Sequence, residues 1–585
     1  MTSTFRRSPF TPRILTLAVA SALLVACGSD DDSSSGASIH QLSAASAAAY
    51  SGDCSALAGS LAFDNTSITS IETIAAGTLT VGNTDIGEHC LVTGTMNERT
   101  SDVDGKDYAI GFEMRLPKDW NGRFFYQGNG GIDGNIVTAQ GGSGREPGHG
   151  GGALSNALSM GFAVISSNAG HGSPNPAFGY DPQARLDYGY MATGTLTPMA
   201  KSVIEQVYGK GPDRSYYGGC SNGGRHAMVA ATRYADEFDG FLVGAPGYRL
   251  PKSAVANIAG ARAYASIDGT DKTDLETAFT KTERELVVAQ VLEQCDALDG
   301  AADGMVLDYQ ACQTAFDIQE HVPTCSGDRD GSCLTQQQKD VIEDIYSGVE
   351  TSTGEKIYTS FPFDHGLASD GVMGWEYNMP VSRDSGAVAL IFNTAPVELV
   401  DFNVRNLDGA AFVFESDLDD MAAKTETTTD LYTESAMSFM APPTPEDMSA
   451  VKNRGAKIIA YHGVSDAIFS VDDTAAWYDA LSETTGDAEA FARFYPIPGM
   501  GHCRGGVSVD QFDMLTPLIA WVEQGEAPDS ILASARGVDN IGGANDELPA
   551  SWSDERTRPL CPYPQVARYK GEGDIEDASS FECKE

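Results

Sequence analysis

A Gly-x-Ser-x-Gly pattern at residues 219–223 constrains the fold of this chain more than any other short stretch. A short apolar run, 215–217, precedes the pattern, and a helix-like stretch, 225–234, follows it. A serine at the tip of so tight a strand-to-helix turn needs glycine neighbours, because larger side chains would clash where the strand and the helix cross. Ser221 is therefore a candidate nucleophile. The pattern alone also fits an ordinary glycine-rich turn.

A nucleophilic serine needs a base and an acid, and candidates for both follow it along the chain. The apolar run 456–461 predicts a buried parallel strand, and Asp466 lies in the loop after it. A second predicted strand, 492–497, is followed by His502. Taken separately, the two residues also fit an Asx turn and a surface-loop histidine. The order serine, aspartate, histidine is that of α/β-hydrolases, so we predict this α/β fold.

A cysteine stands next to each of two predicted triad residues. Cys220 directly precedes Ser221, and Cys503 directly follows His502. A hydrogen bond between the serine and the histidine would bring the two cysteines within disulfide range. We therefore predict a disulfide that joins the nucleophile turn to the base loop. The alternative is a catalytic thiol at Cys220.

Together these stretches resemble the tannase and feruloyl esterase family of α/β-hydrolases, which also includes mono(2-hydroxyethyl) terephthalate hydrolases. The resemblance rests on residues 219–224, 462–466 and 501–503, and it extends over essentially the whole mature chain. It implies a serine carboxylic ester hydrolase that acts through an acyl-enzyme. The nucleophile, acid and base in that family match Ser221, Asp466 and His502.

Two backbone N–H groups are expected to stabilise the oxyanion of such a reaction. The N–H of Asn222 lies at the start of the helix behind the nucleophile, where helix donors are free. The resemblance places the second donor in the glycine-rich segment 127–131, at Gly130, after a predicted strand at 123–126. Close approach of the backbone to an oxyanion requires such a glycine-rich segment.

The N-terminal sequence is typical of a bacterial lipoprotein signal. Basic residues precede an apolar run, 14–25, which is too short to span a membrane and ends in a lipobox-like sequence at Cys27. We predict a signal peptide at 1–26, lipidation of Cys27, and a flexible tether at 27–50 that holds the protein at the outer membrane. Cleavage after Ala26 without lipidation is the alternative, and it would leave a periplasmic or secreted protein.

Eleven cysteines occur in the sequence, and ten are left once Cys27 is assigned to lipid. An even number in an exported chain indicates complete pairing, although ten cysteines alone permit on the order of hundreds of connectivities. Sequence neighbours and the family resemblance imply five pairs: Cys54–Cys90, Cys220–Cys503, Cys295–Cys312, Cys325–Cys333 and Cys561–Cys583.

The length of 585 residues exceeds one minimal hydrolase domain. We predict a hydrolase domain in two parts, 51–248 and 449–585, interrupted by a large inserted lid domain at 249–448, where no strong parallel-strand pattern occurs. The formal net charge of −44 excludes nucleic acid as a partner and limits membrane contact to the lipid anchor. We expect a monomer that binds a small aromatic ester.

An acidic loop at 295–305 spaces three aspartates among small residues and glycines. Oxygen ligands on a turning loop suit Ca²⁺, although acidic turns without metal are common. The spacing is not that of an EF-hand, but it resembles the lid calcium loop of the family. That resemblance implies a structural calcium and no organic cofactor. The implied ligands are the side chains of Asp296, Asp299 and Asp303 and the backbone carbonyls of Ala301 and Met305.

The family resemblance also implies esters of aromatic acids, of the hydroxycinnamic or hydroxybenzoic class, as substrates. Apolar lid residues would hold the ring, and the candidates, for which core packing is the alternative, are Trp375, Tyr377, Phe392 and Phe402. Terephthalate-monoester hydrolases of the family grip the free carboxylate with a lid arginine. The matching stretch here, 385–393, has none, while Arg383 and Arg405 lie nearby. We therefore expect a preference for neutral esters, with a terephthalate monoesterase as the alternative.

A function of another class is a surface lipoprotein that has the hydrolase fold and only binds a ligand. Degenerate hydrolases generally lose a member of the triad. This sequence keeps all three residues together with a glycine-rich oxyanion segment, which favours the enzyme.

Overall fold

The structure is a computed structural model that describes residues 39–142, 155–399, 405 and 407–585. The predicted signal peptide, Cys27, the first part of the predicted tether, and Phe402 lie outside these residues.

A nine-stranded mixed sheet forms the centre of the described chain. Its strands run in the spatial order β9-β8-β7-β6-β4-β5-β3-β2-β1. Strands β4 to β9 are mutually parallel, and β3, β2 and β1 extend the sheet with antiparallel pairing. The strands are β1 (Thr66–Ile74), β2 (His89–Thr100), β3 (Asp107–Pro117), β4 (Arg123–Gln127), β5 (Ala163–Ser167), β6 (Arg214–Cys220), β7 (Gly240–Gly244), β8 (Lys457–Gly463) and β9 (Ala492–Ile497).

The parallel strands are buried on both faces, and every residue of β7 and β8 is buried. Such strands need helices on both sides of the sheet, as α/β folds provide. Strand β4 lies between β5 and β6. The chain therefore leaves β4 toward β5 on one side of the sheet order and leaves β6 toward β7 on the other. Open α/β sheets bind ligands in the crevice that this divergence creates at the carboxyl ends of the strands.

Eight helices of ten or more residues occur in the described part of the chain. They are α1 (Ala192–Tyr208), α2 (Asn222–Arg233), α3 (Leu250–Tyr264), α4 (Lys281–Cys295), α5 (Gln336–Ser347), α6 (Asp370–Met379), α7 (Val471–Thr485) and α8 (Leu515–Gln524). Shorter α-helices span Pro182–Leu186, Tyr309–Ala315, Ile318–His321, Ser385–Ala387, Gly409–Glu415, Leu418–Lys424, Ala436–Met440 and Ser449–Arg454.

The interval between β7 and β8 adds no strand to the central sheet within its described residues. Its helices, α3 to α6 among them, pack around an apolar core that includes Ile258, Val287 and Phe392 together with Phe178 and Tyr188 of the hydrolase part. A short hairpin, Val349–Glu350 with Lys356–Tyr358, lies in the same interval. The fold is an α/β-hydrolase with an additional lid domain, as predicted.

Small antiparallel sheets lie outside the central sheet. After β9, Gln511–Phe512, Ile531–Ser534 and Thr557–Leu560 form a three-stranded sheet, and Val566–Tyr569 pairs with Phe581–Lys584. No helix in the described residues is long and apolar enough to cross a membrane.

The prediction of a flexible tether at 27–50 is wrong for residues 39–50. Ala48–Ala49 pairs with Asp119–Trp120 in a separate two-stranded antiparallel sheet. The amide of Gln41 donates to the carbonyl of Val522 at 2.8 Å. The backbone N–H of Ser46 donates to Asp213 at 2.8 Å. These long-range contacts depend on the folded domain, so local composition did not indicate them.

The five predicted disulfides are present: Cys54–Cys90, Cys220–Cys503, Cys295–Cys312, Cys325–Cys333 and Cys561–Cys583. Four of them close short loops. The Cys220–Cys503 bridge joins residues 283 positions apart and lies at the site described next.

Candidate active site

Ser221 occupies the one-residue turn between β6 and α2. Its backbone has φ 65° and ψ −128°. A positive φ is strained for any residue that carries a Cβ atom. The turn is held by close backbone packing: a Cβ atom on Gly223 would lie 2.3 Å from the carbonyl oxygen of Gly128. A Cβ atom on Gly224 would lie 2.1 Å from the carbonyl oxygen of Gly244. Glycine is therefore required at both positions.

Three predicted residues meet at the carboxyl edge of the sheet. His502 Nε2 lies 2.8 Å from Ser221 Oγ, and His502 Nδ1 lies 2.7 Å from Asp466 Oδ2. Asp466 is three residues past the end of β8, and His502 is five residues past the end of β9. The hydrogen bonds run from hydroxyl to imidazole to carboxylate, which is the arrangement that activates a serine.

Asp466 is buried and firmly held. Its Oδ1 accepts hydrogen bonds from the N–H groups of Ile468 at 2.9 Å and Phe469 at 3.2 Å. Burial alone would raise the pKa of this carboxyl group, but the charge of His502 and hydrogen bonds from His462 and His502 lower the pKa well below its usual range. Asp466 therefore stays ionised and can stabilise an imidazolium.

The Cys220–Cys503 disulfide adjoins both ends of the Ser221–His502 hydrogen bond. It links the end of β6 to the loop that carries the histidine. Since Cys220 is bonded to Cys503, the alternative of a catalytic thiol at Cys220 is excluded.

Gly130 and Asn222 flank the serine from two different segments. A Cβ atom on Gly130 would lie 3.9 Å from Ser221 Cβ and 3.8 Å from the carbonyl oxygen of Cys220, so this glycine lies against the nucleophile. Asn222 is the first residue of α2 and is buried. Both backbones thus lie beside the nucleophile, and the role of their N–H groups as oxyanion donors stays a prediction.

A lid aspartate joins the acid loop to the base loop. Asp364 Oδ2 accepts a hydrogen bond from Ser465 Oγ at 2.6 Å and one from the N–H of Gly499 at 2.8 Å. Its Oδ1 lies 2.8 Å from His365 Nδ1. Burial would raise the pKa of Asp364, but the charge and hydrogen bond of His365 lower it. The lid therefore helps to hold the loops of Asp466 and His502 in register.

Of the three candidate lid aromatics that the structure describes, one reaches the site. The ring of Trp375 lies 4.8 Å from the His502 ring, edge to face. Tyr377 instead packs in the lid, where its hydroxyl lies within hydrogen-bond distance of the Arg284 guanidinium and of the carbonyl of Phe279. Phe392 lies in the apolar core of the lid. For Tyr377 and Phe392 the alternative of core packing is therefore confirmed.

Phe469 was not predicted, yet its ring lies 5.3 Å from that of His502. Its position only three residues after Asp466 is the signal that would have indicated it. The guanidinium of Arg383 stacks 5.1 Å from the centre of the Trp375 ring and pairs with Asp384 at 2.7 Å. Arg405, the other candidate cation, is exposed.

The acidic loop brings its aspartates into one another's electrostatic field. Burial, together with the charges of Asp303 and Asp296, raises the pKa of Asp299 to about 7. Asp303 forms an ion pair with Arg558. Within the described residues, no group of three or more histidine, cysteine, aspartate or glutamate side chains is arranged to hold a metal ion.

The sequence pattern of the tannase and feruloyl esterase family matches residues 90–584. The chain belongs to this family. Its enzymes are carboxylic ester hydrolases, and this chain is one of them.

Individual relatives support the assignment. The chain is 38% identical to mono(2-hydroxyethyl) terephthalate hydrolase of Piscinibacter sakaiensis over 530 residues, which cover 85% of each chain. It is 28% identical to the probable feruloyl esterase B-1 of Neosartorya fischeri, across 85% of this chain and 86% of the relative. The crystal structure of feruloyl esterase B from Aspergillus oryzae shares the fold, with a TM-score of 0.71 at 24% identity, covering 91% of this chain and 99% of that one.

Proposed function

We propose that this enzyme hydrolyses esters of aromatic carboxylic acids, of the hydroxycinnamic or hydroxybenzoic class, through an acyl-enzyme on Ser221. The observation that carries the proposal is the hydrogen-bonded chain Ser221–His502–Asp466, with the rings of Trp375 and Phe469 against the histidine. Aromatic walls beside the base favour a planar ring in the acyl group. The names of its feruloyl esterase relatives point to the same substrate class.

The reaction follows from the geometry. Ser221 Oγ attacks the ester carbonyl carbon while His502 Nε2 takes its proton, and Asp466 stabilises the imidazolium. The N–H groups of Gly130 and Asn222 stabilise the oxyanion, at about 3 kcal/mol for each donor. The imidazolium returns the proton to the leaving alcohol. Water then attacks the acyl-enzyme, gives a proton to His502, and releases the acid as Ser221 regains its hydrogen.

A second candidate is a monoesterase for aromatic acids that carry a free carboxylate. A cavity of about 340 Å³ lies between Ile132, just after the oxyanion segment, and the lid residues Val381–Arg383. Arg383 lines this cavity, and its guanidinium also stacks on Trp375, the ring beside His502. The relative named for mono(2-hydroxyethyl) terephthalate makes the same substrate type a candidate here. However, Asp384 already neutralises Arg383, which weakens its attraction for another anion.

We therefore expect kcat/KM to be higher for methyl ferulate and methyl gallate than for mono(2-hydroxyethyl) terephthalate. An anion bound beside the Arg383–Asp384 pair gains little charge neutralisation, and burying an incompletely paired carboxylate costs several kcal/mol, about 3 or more. A steady-state panel of the three esters, with a p-nitrophenyl ester as a general reporter, measures the preference. Failure to hydrolyse any of the four esters would contradict the proposed substrate class.

Arg383→Gln separates the two candidates. If the monoester is the better substrate, this variant should lose about tenfold or more in kcat/KM for the monoester alone, because one charge pair is removed from a bound carboxylate. Arg262→Gln is the matched control, since Arg262 is another lid arginine and donates to the carbonyl of Ser416. Equal effects of the two variants would exclude a specific clamp at Arg383.

A structural Ca²⁺ in the acidic lid loop is also part of the proposal. The donors would be Asp296, Asp299 and Asp303 with the carbonyls of Ala301 and Met305, an oxygen-only set of the type that calcium prefers. The side chains are not arranged around an ion in the described structure, so binding would have to draw them together. Three carboxylates share this loop, and the ion pair with Arg558 neutralises one of them. A divalent cation would relieve the remaining repulsion. This ion takes no part in the ester chemistry.

Chelation should lower the melting temperature without changing kcat in the protein that is still folded. Removal of a ligand that binds only the native state destabilises it by mass action. Calorimetry with EDTA, followed by addition of excess Ca²⁺, measures the shift and its reversal. Asp299→Asn should abolish the calcium response. A melting temperature that is insensitive to both EDTA and Ca²⁺ would rule out the ion.

Export with lipidation at Cys27 completes the proposed function. Complete cysteine pairing is typical of oxidising compartments, and the five disulfides support export. Mass spectrometry of the N-terminal peptide from membrane fractions distinguishes a lipidated Cys27 from cleavage after Ala26.

A further inference from the structure

A buried carboxylate links the two segments that flank Ser221. Asp133 lies three residues after Gly130, and its side chain is 2% exposed. Its Oδ2 accepts a hydrogen bond from Asn222 Nδ2 at 2.8 Å and lies 2.9 Å from His226 Nε2. Asn222 and His226 are four residues apart on α2, so they present neighbouring side chains to the carboxylate.

The Asn222 side chain is held from its other end as well. Its Oδ1 accepts a hydrogen bond from Arg225 Nε at 2.7 Å. Arg225 is fully buried and donates to the carbonyl of Gly189 at 2.8 Å. The amide therefore has one orientation, with its NH₂ group directed to Asp133.

We propose that Asp133 is a positioning residue that sets the spacing of the two oxyanion donors. The inference rests on the proposed function, in which the donors are the N–H groups of Gly130 and Asn222. These groups belong to different segments, the loop after β4 and the start of α2. Donors must lie about 3 Å from the oxyanion, and small displacements lose much of their effect. The Asp133–Asn222 hydrogen bond ties the glycine-rich loop to the helix.

The energetics of Asp133 favour this role over one in stability. Burial raises its pKa to about 7, against the opposing effects of His171, Arg225 and Asn222. The unfolded chain has the ordinary value of 3.8, so the folded state resists ionisation. The free energy of unfolding therefore falls as the pH rises from about 3.8 to about 7. At mildly alkaline pH the ionised side chain destabilises the fold. Asp133 also has a left-handed φ of 54°. Such costs are typical of functional positions.

A double-mutant cycle between Asp133→Ala and Asn222→Ala tests the proposal. We expect each single variant to lower kcat about tenfold or more, with KM changed by less than about threefold, because an oxyanion contact acts in the transition state. The double variant should be no slower than the slower single variant, because both remove the same link. Alanine at position 133 is also strained by the φ of 54°. Asn222→Ala does not change that dihedral, so the coupling between the two variants reports the Asp133–Asn222 hydrogen bond rather than the backbone strain.

Asp133→Asn should rescue the activity to within about threefold of wild type, because the amide oxygen still accepts from Asn222. Its melting temperature at mildly alkaline pH should equal or exceed that of wild type. Asp187→Ala is the matched control: Asp187 is also buried, burial raises its pKa to about 6, and it accepts from Gln183 rather than from α2. We expect this control to keep the wild-type kcat.

The outcomes separate this inference from the proposed function. Loss of activity in Ser221→Ala together with an unchanged kcat in Asp133→Ala would overturn the positioning role alone. Additive effects in the cycle would also overturn it, as would a lower melting temperature in Asp133→Asn without rescue. Full activity of Ser221→Ala would instead contradict the proposed function itself.

Discussion

Replacing Ser221 with alanine is expected to lower kcat by about 10⁶-fold, the loss typical of removing a triad nucleophile. The acyl-enzyme cannot form without the hydroxyl that lies 2.8 Å from His502 Nε2. The melting temperature should not fall, because the side chain is small and alanine adopts the same turn at no greater cost. Hydrolysis of methyl ferulate and calorimetry measure the two effects.

Ser202→Ala is a suitable control for that variant. Ser202 lies on α1, and its hydroxyl donates to the carbonyl of Pro198 at an exposed position. Its activity should equal that of wild type. More than a few per cent of wild-type activity in Ser221→Ala would move the nucleophile to another residue.

Removing the Cys220–Cys503 bridge, as Cys220→Ala with Cys503→Ala, should reduce both stability and kcat. The bridge joins residues 283 positions apart, and its loss should cost about 5 kcal/mol in the chain-entropy account. It also frees the base loop beside His502, so we expect kcat to fall about a hundredfold through lost alignment of the triad. Denaturant unfolding and steady-state kinetics give the two quantities.

The matched control removes a disulfide of similar chemistry away from the triad. Cys325 and Cys333 are only 8 positions apart in the lid, and Cys325→Ala with Cys333→Ala should keep the wild-type kcat. An unchanged kcat in the Cys220/Cys503 variant would show that the surrounding packing alone aligns the triad. Free thiols at these positions in the native protein would contradict the account directly.

The sequence predicted the parts of the site that local pattern controls. Glycines around Ser221 are required by backbone contacts, so the turn leaves a readable pattern. The buried runs of β8 and β9 are followed by the loops of Asp466 and His502, and parallel strands bring their carboxyl ends to one edge. The five disulfides were predictable because the family resemblance adds to simple sequence neighbourhood.

Residues that act through long-range contacts were not predictable. Asp133 and Asp364 look like ordinary loop aspartates, and only the folded chain shows that they join separate segments around the triad. Trp375 and Tyr377 stand two positions apart on α6, so composition could not separate the ring beside His502 from the ring in the lid. Side-chain direction there depends on tertiary packing rather than on local period.

Active-site labelling followed by peptide mapping tests the central claim most directly. A fluorophosphonate reacts only with an activated serine. We predict one equivalent of probe on Ser221, with hydrolysis of methyl ferulate lost in proportion to the labelling and no labelling in His502→Ala. Probe on a different residue, or complete labelling of Ser221 with hydrolysis unchanged, would contradict the account.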